Sequence, residues 1–281
     1  MVAPVDYDEL GLFHENAEEH GLPYDGPPDV RRVSVEVAPG RRLSALVWGP
    51  GHPELVLLHG GAQNAHTWDT VALALRRPLV AIDLPGHGHS DAGAPGALSL
   101  ESSAADVSAA MRSLAPRPIP LAGMSLGGLT ALALARAAPE LVSQLALVDV
   151  TPGVTAGKSA AIAAFVNGPA SFASFDEILT RTIEHNPTRS VSSLRRGILH
   201  NAVQREDGSW VWRYARVEHR ADVQPELAAQ WEAISSLSVP LMLVRGMAAG
   251  SVVDDEDEAE LHPRRATARV EHVEGAGNSI Q

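Results

Sequence analysis

The sequence predicts an α/β fold in which a mostly parallel β-sheet is flanked by helices and carries an inserted helical segment. Short runs of apolar residues only, at 55–58, 79–82 and 145–148, are typical of strands buried on both faces. Segments with the apolar spacing of helices separate these runs, and such alternation favours parallel strands joined by right-handed crossovers. The alternation stops after residue 153 and resumes at residue 240, so a separate unit is inserted there.

The composition sets limits on the class of protein and on its partners. A chain of 281 residues, 45% of them apolar and 4% aromatic, can bury one large core built mostly from Ala, Val and Leu. Its 34 acidic and 22 basic residues give a net charge of −12, which argues against nucleic acid or an anionic membrane surface as a partner. The absence of cysteine excludes disulfides, thiolate metal sites and cysteine nucleophiles. We expect neither a cofactor nor a metal ion.

The N-terminal residues and the apolar runs of the chain indicate its expected cellular location. Residues 1–8 lack a basic segment followed by an apolar run, so we expect no secretory signal. No run of about 18 apolar residues occurs, so we expect no membrane span. The expected location is the cytoplasm, and the oligomeric state is left open.

The predicted domain order begins with an N-terminal helix and linker over residues 1–30. Apolar residues recur at helical spacing between Leu10 and Ala17, and several prolines follow. Alternation with period two at 33–37 and 41–48 predicts an antiparallel hairpin. The hairpin opens the predicted core, which comprises residues 31–153 and 237–281.

Residues 154–236 are predicted to form a helical cap on that core. Four segments have helical spacing and no clear buried strand lies among them; they are 156–166, 175–185, 191–203 and 225–236. Trp210, Trp212 and Tyr214 alternate within the insertion. This pattern fits a hairpin arm, the wall of an apolar pocket, or side chains packed in the core.

The residues around Ser125 carry the strongest functional signal. A predicted strand at 119–122 ends in Gly123-Met124-Ser125-Leu126-Gly127, and a predicted helix at 129–138 follows. A serine between two glycines at a strand-to-helix turn lies on a sharp bend that exposes its hydroxyl at the carboxyl edge of the sheet. The pattern predicts a nucleophile, with a plain tight turn as the alternative.

Four features together resemble the α/β-hydrolase fold family, in the form that carries a helical cap. They are the hairpin with its parallel strands, His59-Gly60-Gly61 after the first buried strand, Asp-Leu-Pro-Gly-His-Gly-His-Ser at 83–90 after the second, and the Ser125 turn after the third. The resemblance covers nearly the whole chain from Val33 onward. It implies a serine hydrolase acting on an ester, lactone or related small, apolar acyl substrate.

The resemblance also implies roles for individual residues. Ser125 would attack a carbonyl, and the backbone N–H groups of Gly61 and Leu126 would stabilise the oxyanion. Removal of one such donor typically costs about 3 kcal/mol of transition-state stabilisation. His59 would have a structural role beside this loop, and the histidines of segment 83–90 would brace the mouth of the site.

The catalytic acid has no clear match in this sequence. In the family it usually follows the strand that corresponds to residues 241–244, and the expected position here falls at or near Gly250. Asp254 and Asp255 lie a few residues further on and fit better as the cap of the next helix. Some relatives carry the acid one strand earlier, where Asp149 stands. Asp149 is therefore either the catalytic acid or a structural residue of its own loop.

The base is missing from the position at which the family has it. The last predicted strand is followed by Gly275-Ala276-Gly277-Asn278, so that Asn278 stands where histidine is expected. A carboxamide cannot take up a proton near neutral pH, and without a base the serine is a weak nucleophile. The closing helix of the family is also expected to be absent, which hints at truncation or drift. No other histidine is obviously placed to substitute, since His272 lies within the last predicted strand and three others lie in the predicted cap, namely His185, His200 and His219.

Three hypotheses about function stay open on the sequence. The first is a serine hydrolase with an impaired or altered triad. The second is a non-hydrolytic relative that binds a small apolar ligand, or that uses the oxyanion hole for elimination, cyclisation or isomerisation. The third is an inactivated or truncated form, in which Asn278 replaces the native histidine.

Overall fold

The fold was examined in a computed structural model, which describes residues 7–93, 99–215 and 224–277. Eight strands form the main sheet, in the order β1-β2-β4-β3-β5-β6-β10-β11. The strands of the chain are β1 (Val30–Ala38), β2 (Arg41–Trp48), β3 (Val56–Leu58), β4 (Leu79–Ile82), β5 (Ile119–Met124), β6 (Val142–Val148), β7 (Ser171–Phe172), β8 (Ala202–Gln204), β9 (Trp210–Trp212), β10 (Leu241–Gly246) and β11 (Arg269–Val273).

The strand directions follow the sequence pattern. The predicted hairpin is β1 with β2, and β2 is also antiparallel to β4. All remaining neighbours in the main sheet pair in parallel, from β4 and β3 through to β10 and β11. The central strands β3 and β4 are buried along their whole length, which is why they consist only of apolar residues. The predicted α/β fold with a mostly parallel sheet is confirmed.

Helices cover both faces of this sheet. The helices of the described residues are α1 (Phe13–Glu19), α2 (Asp69–Leu75), α3 (Leu100–Leu114), α4 (Leu126–Ala137), α5 (Ala160–Val166), α6 (Phe175–His185), α7 (Val191–Asn201), α8 (Gln224–Ser236) and α9 (Asp255–Arg264), of which α5, α6 and α7 lie in the inserted segment. On one face, Met111 of α3 and Leu132 of α4 belong to a large buried cluster. On the other face, Phe13 of α1 packs on Trp48, with their ring centroids 4.8 Å apart. A sheet apolar on both faces is stable only when covered in this way.

The inserted segment contains a small sheet that the sequence analysis missed. Strands β7, β9 and β8 pair antiparallel beside α6 and α7, so the expectation that no clear strand lies among the helices is wrong, although the hairpin arm considered for Trp210 and Trp212 is present as β8 with β9. These strands are two or three residues long, which is too short for a period of two to be recognised. Trp210 of β9 is buried against Ile198 and Phe172, so at this position the alternating aromatic pattern reflects packing.

The last helix of the predicted cap packs on the core. Helix α8 contacts α4 and α9, and its residue Ile234 belongs to the same buried cluster as Leu132. The predicted boundary at residue 236 stays a prediction, and these contacts favour placing it before α8.

The N-terminal segment joins the core to the inserted segment. Helix α1 packs on α2 of the core, and Glu19 at its end pairs with Arg196 of α7. Upstream of α1, the Tyr7 hydroxyl hydrogen-bonds His200 Nδ1 of α7 at 2.6 Å. Helix α7 is thereby held at two points. Among the helices of the described ranges, none is long and apolar enough to cross a membrane.

Candidate active site

Ser125 lies on a strained turn between β5 and α4. Its backbone has φ 48° and ψ −119°, a conformation that residues with a side chain rarely adopt and that persists only where the surroundings enforce it. The Ser125 N–H donates to the Val148 carbonyl at 3.2 Å, and the Ser125 carbonyl accepts from Gly128 and Leu129. The residue as a whole is half-buried. This is the geometry expected of a nucleophile turn.

Glycines at this turn are required by close backbone contacts. A Cβ atom on Gly127 would lie 2.5 Å from the carbonyl oxygens of Leu58 and His59 at the end of β3. A Cβ atom on Gly128 would lie 2.8 Å from the Gly123 carbonyl oxygen. Backbone atoms cannot move aside as a side chain can, so these positions admit only glycine.

The loop after β3 lies directly against the serine turn. A Cβ atom on Gly60 would be 3.4 Å from Ser125 Cβ, and one on Gly61 would be 3.9 Å from Leu126 Cβ. The Gly60 N–H donates to Gln63 Oε1 at 3.0 Å, which braces the loop from within. The Leu126 N–H begins α4, and the first N–H groups of a helix have no intrahelical partner. The backbones of Gly61 and Leu126 therefore meet beside the serine.

His59 is built into the core below this loop. Its Nδ1–H donates to the Gly60 carbonyl at 2.7 Å, and its Nε2 accepts from the Leu84 N–H at 2.9 Å. Burial, with a smaller contribution from His87, lowers the pKa of His59 to about 3. A neutral ring with both nitrogens occupied cannot act as a base, which supports the structural role inferred for it.

His87 continues this packing towards the inserted segment. Its ring lies 5.2 Å from that of His59 and 6.4 Å from that of Tyr214. Its Nδ1–H donates to the Pro85 carbonyl at 3.0 Å, and burial lowers its pKa. The backbone of this loop also binds the insertion, since the Ala215 N–H donates to the Gly86 carbonyl at 2.7 Å. These contacts support a bracing role for segment 83–90.

Asp149 follows β6 and is fully buried, with φ at 45°. Its Oδ1 accepts from the Gly246 N–H at 3.1 Å and from the Ser251 hydroxyl at 2.5 Å, while Oδ2 accepts from the Val252 N–H at 3.1 Å. All three donors lie in residues 246–252, which we call the acid loop because the family usually carries its acid there. Asp149 thus stands at the loop where the acid is expected, although it comes from the preceding strand.

Asp254 has a different function. It is the N-cap of α9, where its carboxylate accepts from the Asp257 N–H at 3.0 Å and pairs with Lys158 at 2.8 Å. The side chain of Asp257 completes a capping box by accepting from the Asp254 N–H at 3.1 Å. The prediction that the acidic run begins a helix is confirmed.

The segment after β11 runs along the acid loop. The Ala248 N–H donates to the Ala276 carbonyl at 2.8 Å, and a Cβ atom on Gly277 would lie 2.9 Å from the Ala249 carbonyl oxygen. A Cβ atom on Gly246 would likewise collide with the carbonyls of Ala276 and Gly277 at 2.6 Å. The chain is therefore delivered to the acid loop immediately before Asn278, which itself lies outside the described residues, as does His219.

The other histidines considered as substitutes have partners of their own. His272 on β11 pairs with Glu258 at 2.9 Å, and the Nδ1–H of His185 on α6 donates to the Arg181 carbonyl at 3.0 Å. Both side chains are exposed. Neither residue is linked to Ser125, which agrees with the sequence analysis.

A cluster of buried polar side chains was not anticipated. His66 Nδ1 bonds Asp69 at 2.8 Å, and the ring of His66 stacks on that of His200, with centroids 3.7 Å apart and planes 12° apart. The attraction of Asp69 outweighs burial, which alone would lower the pKa of His66, and raises it to about 9. No local sequence pattern marks this cluster, since His66 and His200 are 134 positions apart by their numbers.

The cluster has the residue types of a metal site but not the orientation. Ligand atoms of His66, Asp69 and His200 lie within 4.8 Å of one another. Imidazole binds a metal through a lone pair in the ring plane, and two stacked rings cannot both direct such lone pairs at one ion. His66 Nε2 also lies 3.2 Å from Glu9, so both nitrogens of that ring have partners. We interpret the cluster as a stacking contact between core and insertion, in which Asp69 holds the ring of His66.

Comparisons with known proteins agree with this architecture. Residues 53–237 match the family described as alpha/beta hydrolase fold. The chain is 44% identical over 283 residues to "Esterase Rv0045c" of Mycobacterium tuberculosis, covering 98% of this chain and 91% of the relative. A solved structure of that esterase, reported with its transition metal inhibition, has a TM-score of 0.85 at 43% identity and covers 98% of this chain and 94% of the other.

More distant relatives extend the comparison. A pimeloyl-[acyl-carrier protein] methyl ester esterase of Sodalis glossinidius is 31% identical over 253 residues, covering 85% of this chain and 89% of the relative. The structure of E-2-(acetamidomethylene)succinate hydrolase, at 21% identity, shares the fold with a TM-score of 0.75 over 89% of this chain and 92% of the other. By its sheet, its serine turn and these relatives, the chain belongs to the α/β-hydrolase fold family.

Proposed function

We propose that this protein is a serine hydrolase that cleaves a carboxylic ester, lactone or related small acyl substrate. The observation that carries the proposal is the strained backbone of Ser125, at φ 48° and ψ −119°, packed against the Gly60–Gly61 loop. Strain of this kind is maintained at functional sites, where it presents a side chain for chemistry. The relatives that cover most of the chain bear the names of esterases.

In the proposed reaction, Ser125 Oγ attacks the ester carbonyl carbon and the carbonyl oxygen becomes an oxyanion. The N–H groups of Gly61 and Leu126 donate to that oxygen. The tetrahedral intermediate collapses to an acyl-serine and an alcohol, and water then releases the acid. Two fixed backbone donors lower the barrier because they need no reorganisation when the charge develops.

The proton of Ser125 has no strong acceptor in this proposal. Asn278 cannot accept it near neutral pH, so the proton passes to solvent or hydroxide and turnover is slow. Enzymes that lose a triad member keep about 10³- to 10⁴-fold catalysis over water from binding and the oxyanion hole. We propose that Asp149 acts by fixing the acid loop, along which the chain runs as far as Gly277.

The substrate is proposed to be small and apolar. Aromatic side chains of the insertion support this. The ring centroid of half-buried Phe165 lies 5.7 Å from that of Trp212, and Trp212 stacks on Tyr214 with a centroid distance of 5.7 Å. Such a set of rings suits an acyl chain better than a charged group. The cytoplasmic location stays a prediction.

The decisive experiment combines a fluorophosphonate probe with hydrolysis of short-chain nitrophenyl esters. We expect the parent to be labelled at Ser125 and to turn over esters slowly, and Ser125→Ala to lose both activities. Labelling that persists in Ser125→Ala would contradict the assignment of the nucleophile. Asn278→His serves as the matched gain-of-function variant.

One observation favours a second candidate, a relative that binds a ligand without hydrolysing it. That observation is Asn278, which removes the base while the serine turn is retained. This candidate predicts tight binding of a small apolar ligand that survives Ser125→Ala. It also predicts no ester turnover in either the parent or Asn278→His.

A further inference from the structure

The C-terminal end of helix α7 reaches from the inserted segment to the loop that carries the oxyanion donors. Asn201 is the last residue of α7, and its side-chain Nδ2 donates to the Ala62 carbonyl at 2.6 Å. The two residues are separated by 139 positions in the sequence. A short, partly buried hydrogen bond between residues so far apart in the sequence fixes one element relative to the other.

Asn64 reinforces this contact from the side of the loop. Its Nδ2 donates both to Asn201 Oδ1 at 3.2 Å and to the His200 carbonyl at 3.1 Å. Its Oδ1 accepts from the His66 N–H at 3.0 Å. Both asparagines are at least nine-tenths buried. The carboxamide of Asn64 therefore has partners on both sides of the junction, and both partners of the Asn201 carboxamide lie across it, in the loop after β3.

The loop needs such restraint because Ala62 is itself in a strained conformation. Its φ is 59°, in the left-handed region where a residue with a Cβ atom is disfavoured. A residue persists there only when its neighbours hold it. Asn201 holds the carbonyl of Ala62, and Gln63 holds the N–H of Gly60. The peptide group that carries the Gly61 N–H lies between these two restraints.

We infer that Asn201 is a positioning residue of the oxyanion hole, through which the inserted segment sets the direction of the Gly61 N–H. The inference rests on the proposed function only for its catalytic consequence. Donors in an oxyanion hole act at 2.7–3.1 Å from the developing charge, so a small rotation of the loop removes most of their effect. Asn201 touches neither substrate nor Ser125, and it acts through Ala62.

The test compares Asn201→Ala and Asn201→Asp with a matched control, Asn186→Ala. Asn186 is another asparagine of the insertion, and its Nδ2 donates to a backbone carbonyl within the insertion, that of Thr182, at 2.9 Å. Asn201→Asp preserves shape but places a carboxylate oxygen against the Ala62 carbonyl. Folding of each variant is judged by circular dichroism. If Asn201→Ala does not fold, Asn201→Asp tests the role of the hydrogen bond to Ala62.

The first measurement does not depend on activity. Hydrogen exchange of the peptide that covers residues 59–65, read by mass spectrometry, should be about five-fold faster in both Asn201 variants and unchanged in Asn186→Ala. Exchange equal to that of the parent in both Asn201 variants would overturn the inference, even if the parent hydrolyses no ester. An equal increase in the Asn186→Ala control would overturn it as well.

The second measurement separates positioning from substrate binding. For a nitrophenyl ester, kcat should fall about 10- to 100-fold in the Asn201 variants while KM changes less than about two-fold. Inhibition by a trifluoromethyl ketone, which forms a tetrahedral adduct on serine, should weaken in parallel. A rise in KM with kcat unchanged would overturn the inference. Absence of labelling and turnover in the parent would instead contradict the proposed function, and hydrogen exchange would still decide the role of Asn201.

Discussion

The serine side and the acid side of the candidate site are held in place by different means. On the serine side, backbone contacts between Gly127 and the end of β3 fix Ser125. On the acid side, one buried carboxylate, that of Asp149, gathers three donors of the acid loop. The backbone contacts on the serine side leave no room for a side chain at Gly127. The contacts on the acid side depend on one side chain, so one substitution at Asp149 alters them. A substitution of the acid or the base therefore leaves the backbone contacts that hold the nucleophile in place.

The largest effect should come from restoring a base on the acid side. We expect Asn278→His to raise ester turnover about 10³-fold, since a triad member contributes several orders of magnitude. The pH profile should also change. Turnover of the parent should keep rising with hydroxide, whereas that of the variant should level off above the pKa of histidine, about 6.5.

Initial rates between pH 5 and 9 provide the measurement for Asn278→His. Unchanged turnover in a folded variant whose Ser125 still reacts with the fluorophosphonate would mean that more than the base is missing. In that case the acid side would have lost its function as a whole, and the comparison between the two sides would sharpen.

The next largest effect should come from the serine side. In Gly127→Ala, the new Cβ atom would lie 2.5 Å from two carbonyl oxygens of the β3 end, so we expect the free energy of unfolding to fall by about 3 kcal/mol. Labelling of Ser125 should be lost with it. Urea denaturation measures the first effect and the fluorophosphonate the second.

The chain offers a control within a helix for this substitution. A Cβ atom on Gly197 of α7 would meet nothing within 4 Å, so Gly197→Ala should stabilise the protein by about 0.5–1 kcal/mol. Equal stability of Gly127→Ala and the parent would contradict the claim that backbone contacts hold the serine side.

A smaller effect is expected for Asp149→Asn. The amide group must face either the Val252 N–H or the Gly246 N–H, so at least one buried donor loses its acceptor. We expect a loss of about 2 kcal/mol in the free energy of unfolding, with Ser125 still labelled at the rate of the parent. Denaturation and labelling in the same preparations test this. Loss of labelling in a folded variant would mean that the two sides are not independent.

The smallest effect concerns Asp254, the other candidate for the acid. Because it caps α9, Asp254→Ala should cost about 1 kcal/mol and Asp254→Ser, which can still cap, only a few tenths. Neither should change turnover in an Asn278→His background. A loss of turnover in Asp254→Ser that exceeds its effect on thermal stability would return Asp254 to the list of catalytic acids.

Local patterns predicted most of the fold and the serine side. The buried strands and the glycines around Ser125 are determined by constraints that act within a few residues. They can therefore be recognised from the local sequence. Strands β7 and β8 of the inserted sheet were not predicted because each is too short to show a period, whereas the alternating aromatic residues of β9 left a hairpin arm as one alternative. The hydrogen bond between Asn201 and Ala62 escaped for another reason: a carboxamide at the end of a helix has no local signature of a partner 139 positions away.

The acid side was partly predictable. Asp149 could be singled out because the resemblance implies that some relatives carry the acid after this strand, but the three donors described above come from a loop about 100 positions further on. The resemblance identified that loop as the usual place of the acid. It did not indicate that the Asp149 carboxylate bonds the backbone of the loop. Long-range side-chain contacts of this kind depend on how strands are placed beside one another, here β6 beside β10.

The attachment of helix α7 has a mechanical consequence. The start and the middle of this helix are tied to the N-terminal segment, where Ser190 and Arg196 both bond Glu19, and its end touches the loop beside Ser125 through Asn201 and Ala62. Tyr7 is bonded to His200, the neighbour of Asn201. A force applied near the amino terminus would therefore be transmitted through α7 to within a few residues of the nucleophile. A fusion or tag placed there would perturb the position of the loop beside Ser125.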